Sequence, residues 1–137
     1  MDIDSIPIRG NSVTLRDAAP ADLEHYLRWW RQGEWREYDA PWERLDLQLN
    51  DAELEERFQH GFLGDMVVPR RCLIIALPDN SPIGWVIRYQ EKRFPQSCYV
   101  GVNICEDEHL NRGLGTEALA LWVDYLFATT DFNRIGF

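Results

Sequence analysis

The stretch Cys105-Glu106-Asp107-Glu108-His109-Leu110-Asn111-Arg112-Gly113-Leu114-Gly115-Thr116 concentrates the chemistry of this chain. It joins a run of strand character to a run of helix character. Two glycines bracket Leu114 where the helix must begin, and glycine lets main chain approach a ligand closely. The first amides of a helix have no acceptor inside it, and the helix dipole favours an anion there. Arg112 adds a positive charge beside them. Together these features describe a cradle for a pyrophosphate. No Gly-Lys-Ser/Thr ending is present, which argues against a P-loop. No third glycine completes a dinucleotide GxGxxG fingerprint.

Other chemistry-bearing residues are sparser. Nine acids lie between Glu34 and Glu56, against Arg36 and Arg44. They read as a solvated face or as a collar that attracts a cationic substrate. Trp35 and Trp42 fall in the same loop segment, where amphipathic rings suit a pocket wall. Trp29 is a weaker pocket candidate, and Trp30 belongs to a core stripe. Cys72, Cys98 and Cys105 are odd in number and show no CxxC spacing, so they read as buried, reduced thiols in a cytoplasmic protein. Cys105 is not expected to act as a nucleophile. No His/Asp/Glu cluster has metal-ligand spacing, so no metal is expected.

The elements that position these residues follow from periodicity. Val13 to Arg16 reads as a first strand, and Pro20 opens a helix. Leu23, Tyr26, Leu27 and Trp30 form an i, i+3, i+4, i+7 stripe, and Gly33 stops it. Asn50 caps a second helix with Glu53 in a capping box, and Leu54 and Phe58 face inward. Cys72–Leu77 and Ile83–Tyr89 flank the turn Pro78-Asp79-Asn80-Ser81-Pro82 as a hairpin. Ser97–Cys105 is a further strand. Its Tyr99, Gly101, Asn103 and Cys105 share one face, and Val100, Val102 and Ile104 share the other. Leu114–Ala128 is a helix with Ala118, Leu121, Trp122 and Tyr125 as its apolar stripe. Phe132–Phe137 begins another strand. This order predicts a mixed α/β fold with a mostly antiparallel sheet and one parallel crossover at the end.

Composition narrows the function classes. The chain has 137 residues, which suggests one domain over 1–137. Hydrophobic residues at 45% supply enough apolar surface for a core and argue against disorder. The net charge of −9 argues against non-specific binding to nucleic acid or an anionic membrane. The start Met1-Asp2-Ile3-Asp4 shows no signal peptide, and no apolar run is long enough to span a membrane.

The segment Arg112-Gly113-Leu114-Gly115, with Thr116-Glu117-Ala118-Leu119 as a helix start, resembles the acetyl-CoA signature of the GNAT acyltransferase superfamily. That signature is Gln/Arg-x-x-Gly-x-Gly/Ala, placed between the fourth strand and the third helix. The opening Thr14-Leu15-Arg16-Asp17 with Pro20-Ala21-Asp22, and the hairpin with Pro82-Ile83-Gly84, are similar to the family's first strand and helix and its second and third strands. Trp29-Trp30 and Tyr38-Asp39-Ala40-Pro41-Trp42 resemble the substrate side of the branch that acetylates ribosomal proteins and aminoglycosides. The departure is Leu110, where the family carries Gln or Arg. That change removes a side-chain contact and leaves the main-chain cradle.

The resemblance implies an acetyl-CoA-dependent N-acetyltransferase acting by direct attack of a primary amine of a small molecule or peptide. It places the pantetheine along the strand edge at Asn103, Ile104 and Cys105, one of whose amides polarises the thioester carbonyl. It places the pyrophosphate on the main chain from Arg112 to Thr116, with Leu110 alongside. It implies Glu106, Glu108 or Glu37 as proton relays, and Trp35, Asp39 and Trp42 as the acceptor side. Family members continue through a completed fifth strand, a fourth helix and two more strands, whereas this chain stops inside the fifth strand. The domain is therefore expected to be C-terminally truncated. Three readings stay open: a fragment of a longer enzyme, a short form completed by a second copy as a homodimer, or a non-catalytic CoA-binding or dimerisation module.

Overall fold

The computed structural model describes all residues except 1–5, 32–48, 65, 66, 68, 91, 92, 95, 111, 131, 133 and 137. Short apolar segments build a mixed six-stranded sheet. Its strands are β1 (Ile8–Arg9), β2 (Thr14–Arg16), β3 (Cys72–Ala76), β4 (Pro82–Gln90), β5 (Ser97–Ile104) and β6 (Arg134–Gly136), and they lie side by side in that order. Neighbours run antiparallel except β5 and β6, which are parallel. The expected first strand is therefore the second. β1 precedes it, with Ile8 opposite Leu15 and Arg9 opposite Thr14. Two residues carry no readable alternation, so sequence pattern does not reveal β1.

Pairing registers divide the core between the two faces. Leu73 lies opposite Val86 and Ile74 opposite Trp85, so successive pairs point to opposite sides. On one side, Val13, Leu15, Leu73, Ile75, Ile83, Val86, Cys98 and Val100 pack against helix α3 (Leu114–Thr129). That helix contributes Ala118, Trp122, Tyr125 and Leu126, all buried. Its expected stripe is borne out, with Leu121 only partly covered. On the other side, Trp85 and Cys105 meet α1 (Leu23–Arg31) and α2 (Asp51–Phe58) through Tyr26, Trp29, Leu54 and Phe58.

The hairpin is irregular where it matters. Ile75 pairs with Gly84 but Ala76 pairs with Pro82, so Ile83 is an extra residue, a bulge. The bulge turns Ile83 onto the α3 face. Gly84 then lies so close to β5 that a Cβ there would sit 1.8 Å from the Asn103 carbonyl oxygen. Only glycine fits.

Two caps fix the helices of the second face. Asn50 Oδ1 accepts from the Glu53 amide at 2.8 Å, and the Asn50 amide donates to Glu53 Oε1 at 3.3 Å, the expected capping box. A π-helical turn over Gln59–Leu63 carries α2 on to Gly64. Before α1, a 3-10 turn over Pro20–Asp22 buries Asp22. The Arg16 guanidinium grips its carboxylate with two bonds of 2.8 and 2.9 Å, and the Ala19 amide donates to it at 2.8 Å. Burial opposes ionisation of Asp22, but the Arg16 fork and that amide outweigh it and hold the carboxyl below its usual value. Thus α1 is pinned to β2. Among the described residues, no helix is long and apolar enough to cross a membrane.

Candidate functional site

The site begins with the direction of the β5 amides. The Cys105 amide donates to the Ile83 carbonyl at 2.7 Å, toward β4. Main-chain groups alternate along a strand, so Asn103 and Gly101 also face β4. The amides of Val102 and Ile104 therefore point to the opposite edge. There β6 pairs only with Ser97, Cys98 and Tyr99. Among the described residues, no strand covers that edge from Val100 to Ile104. Of the three edge residues expected to serve a ligand, only Ile104 offers a free-edge amide, and Val102 joins it. The alternation narrows the donor set in that way.

Side chains at this end of β5 are committed. The Cys105 thiol is buried in the cluster with Tyr26, Trp29 and Trp85. The Asn103 amide, in the orientation that satisfies its neighbours, accepts from Trp85 Nε1 at 3.2 Å and donates to the Val102 carbonyl at 3.2 Å. Ile104 and Val102 pack on the α3 side. The two-face division expected for this strand is borne out.

Past β5, a 3-10 turn over Asp107–His109 leads to half-buried Leu110 and exposed Arg112. Gly113 follows with φ +78°, the left-handed region that glycine adopts without strain. As the N-cap of α3 it contributes main chain alone. Its carbonyl accepts from the Glu117 amide at 3.1 Å, closing the first turn. Among the described residues beyond its chain neighbours, no atom lies within 4 Å of where a Gly113 Cβ would be. A Gly115 Cβ would stand 3.5 Å from Ile104 Cγ1 and 4.0 Å from Val102 Cγ2. The cradle and the open edge of β5 are therefore adjacent parts of one site. Helix-start amides of this kind can take an anion, and outward strand amides can pair with an extended amide-bearing chain.

Glu106, two residues beyond Ile104 in the chain, is held by α1. Its Oε1 accepts from Arg28 Nη2 and, at 2.6 Å, from Trp29 Nε1. Among the described residues, no donor reaches its Oε2. Arg28 Nη2 also lies 3.2 Å from His25 Nδ1. Glu108 is exposed in the turn. Trp29 is thus not a pocket wall. It is 1% exposed, and its ring centroid lies 5.8 Å from that of Trp85. The stripe reading missed it because α1 packs against both the sheet and α2, which widens its buried face. Trp30, expected in the core, is only half-buried and stacks on Trp85.

Glu37, Trp35, Asp39 and Trp42 lie outside the described residues. A separate groove of about 470 Å³ runs along α2, lined by Leu49, Glu53, Glu56, Arg57 and His60, none of them on β5 or α3. Among the described residues, no group of three or more His, Cys, Asp or Glu is arranged to hold a metal. Sequence reasoning missed Arg28, Trp29 as a carboxylate donor, and the tether made by Glu117. Each pairs residues far apart in the chain, and no local pattern signals such a pair.

The sequence matches the acetyltransferase (GNAT) domain over residues 12–137. The chain belongs to the GNAT acetyltransferase family. Solved structures of similar fold include a GNAT-family acetyltransferase from Bacillus anthracis, at 13% identity and a TM-score of 0.66. That match covers 88% of this chain and 65% of the other, so the chain spans less than two thirds of that protein's length. The aminoglycoside acetyltransferase AAC(6')-Ib, solved with coenzyme A and kanamycin, matches at 21% identity and a TM-score of 0.65, over 90% of this chain and 72% of that one. A ribosomal-protein-serine acetyltransferase from Vibrio cholerae, so described in its structure, matches at 18% identity and 0.61, over 91% and 67%. No curated protein matches the sequence.

Proposed function

We propose that this chain forms the acetyl-CoA site of an N-acetyltransferase whose acceptor is a primary amine of a small molecule or peptide. The observation that carries the proposal is the uncapped, glycine-opened first turn of α3 lying against the open edge of β5. The helix amides from Gly113 to Thr116, with Arg112 beside them, hold the pyrophosphate. The Val102 and Ile104 amides hold the arm, and one of them polarises the thioester carbonyl as charge develops on its oxygen.

Acetyl-CoA supplies an activated acetyl group. The amine nitrogen bonds to the acetyl carbon, the carbon–sulfur bond breaks, and the sulfur leaves with the electron pair. The amine's proton must go to a base. Glu106 is assigned that role, because Arg28 and Trp29 fix Oε1 and leave Oε2 to accept. Glu37 is the alternative on the acid-rich segment. Trp35, Asp39 and Trp42 are assigned to acceptor binding from the sequence, since acid in that segment favours a cationic amine. Holding both reactants in line supplies much of the rate. A second reading is CoA binding without turnover, in which the α3 start and the β5 edge hold the ligand and no amine is acetylated.

Calorimetric titration of CoA into the folded chain, with Gly113→Asp beside it, tests the site. The variant places a carboxylate among the phosphate-binding amides and forces a side chain into positive φ. Affinity should fall about 100-fold, from charge and strain together. Equal affinity for both proteins would remove the cradle assignment. Binding with no acetyl transfer to a panel of polyamines, aminoglycosides and peptide amines would favour the second reading.

A further inference from the structure

Glu117 lies in the first turn of α3, one turn from the cradle. A carboxylate there suits the helix dipole but repels a bound pyrophosphate, so its presence calls for another reason. Its Oε2 accepts two main-chain amides, Ser12 and Val13, each at 2.8 Å. These residues lead into β2, more than 100 positions earlier in the chain. The turn they belong to is closed by the Gly10 amide on the Val13 carbonyl at 2.8 Å. Gly10 has no room for a side chain: a Cβ would lie 2.7 Å from Glu117 Oε2, 2.8 Å from Leu121 Cδ1 and 2.9 Å from the Val13 carbonyl oxygen. The β1–β2 turn is therefore shaped around the Glu117 carboxylate. Gly113, the N-cap of α3, has no side chain to cap it, so a side-chain anchor for the first turn must come from elsewhere.

We infer that Glu117 is a positioning residue, which tethers the first turn of α3 to the β1–β2 turn so that the amides from Gly113 to Thr116 stay aimed at a pyrophosphate. The inference deepens the acetyl-CoA reading above and rests on it. The tether acts at both levels of one turn. The Glu117 amide holds the Gly113 carbonyl, and the Glu117 side chain holds the sheet. Its charge is engaged by amides rather than by a cation, so the geometry needs an acceptor oxygen more than a negative charge.

The test compares two probes on the labelled full chain by amide NMR titration. CoA carries the pyrophosphate, and S-acetylpantetheine lacks it. Glu117→Ala should weaken CoA about ten-fold, the loss expected of hydrogen bonds to a charged group, and leave S-acetylpantetheine within about two-fold of the parent. Glu117→Gln keeps an acceptor oxygen and should restore CoA affinity. Gly10→Ala, which leaves the α3 sequence intact but presses on the Glu117 carboxylate and the tip of Leu121 from the β1–β2 turn, should reproduce the Glu117→Ala pattern, and it carries the test if Glu117→Ala does not fold. Equal weakening of both probes would reduce Glu117 to a stability role and overturn the inference. So would unchanged CoA affinity in Glu117→Ala or Gly10→Ala. If the parent chain binds S-acetylpantetheine but not CoA, the cradle and the tether fall together. If the parent binds CoA and the variants bind it equally, only the tether falls.

Discussion

The face of the sheet under α3 is packed mainly by branched aliphatic side chains, and the face under α1 and α2 mainly by aromatic rings. On the second face Tyr26 touches Phe58 and Trp85 at centroid distances of 5.2 and 5.9 Å, and Trp29 touches Trp85 at 5.8 Å. The indoles use their N–H groups differently on the two sides. Under α3, Trp122 Nε1 donates to a main-chain oxygen, that of Ile87, at 3.1 Å. Under α1, Trp29 and Trp85 donate to side chains at the end of β5, Glu106 and Asn103. Aliphatic packing fixes where the α3 main chain lies, and the proposed cofactor contacts are main-chain contacts. Aromatic packing delivers polar handles, and the proposed chemistry on that side needs oriented side chains.

Gly84 lies at the seam of the two faces, so it gives the largest effect. Gly84→Ala would drive a Cβ into main chain and should cost about 3 kcal/mol or more, read as a large fall in the denaturant midpoint. Because β5 itself must move, CoA affinity and any acetyl transfer should fall together. A variant that keeps one and loses the other would show that the faces are less coupled at this seam than the pairing suggests.

Asp22→Asn strikes the aromatic side alone, by freeing the start of α1 from Arg16. Breaking a buried pair of this kind costs about 3 kcal/mol at neutral pH. The Asp22 carboxyl titrates below its usual 3.8 in the fold, so its contribution is present above that value and is lost as the pH falls through the lowered one. The stability gap between parent and variant should therefore narrow as unfolding is measured at pH 4 and below. A gap independent of pH would mean that the pair is not what holds α1.

Trp29→Phe is the gentlest and most selective change. It keeps a ring in the cluster and removes one donor to Glu106, at about 1 kcal/mol of stability. Acetyl transfer should fall while CoA affinity holds. A drop in CoA affinity of the same size would break the division of labour between the faces.

Most elements were legible because they are periodic. The stripe on α3, the Asn50–Glu53 capping box and the hairpin turn each lie within a few residues of sequence. The glycine bracket was legible because a helix start needs a backbone of special shape just there. The bulge at Ile83 was not, since a single extra residue inside an apolar run leaves no trace in its composition. Nor was the use of Glu106 and Glu117. Their partners lie 77 and more positions away, and only the folded sheet brings them within reach. Trp29 was misassigned for a related reason, because one helix stripe was matched to one partner surface when α1 has two.

The half-covered edge of β5 has an evolutionary consequence. Its outward donors belong to the main chain at Val102 and Ile104, and every residue except proline supplies the same N–H. The outward hydrogen-bonding pattern therefore persists whichever apolar side chains fill the α3 face at those positions. Chains that match this one at 13 and 21% identity share its fold, so the scaffold that presents such an edge survives wide change in sequence.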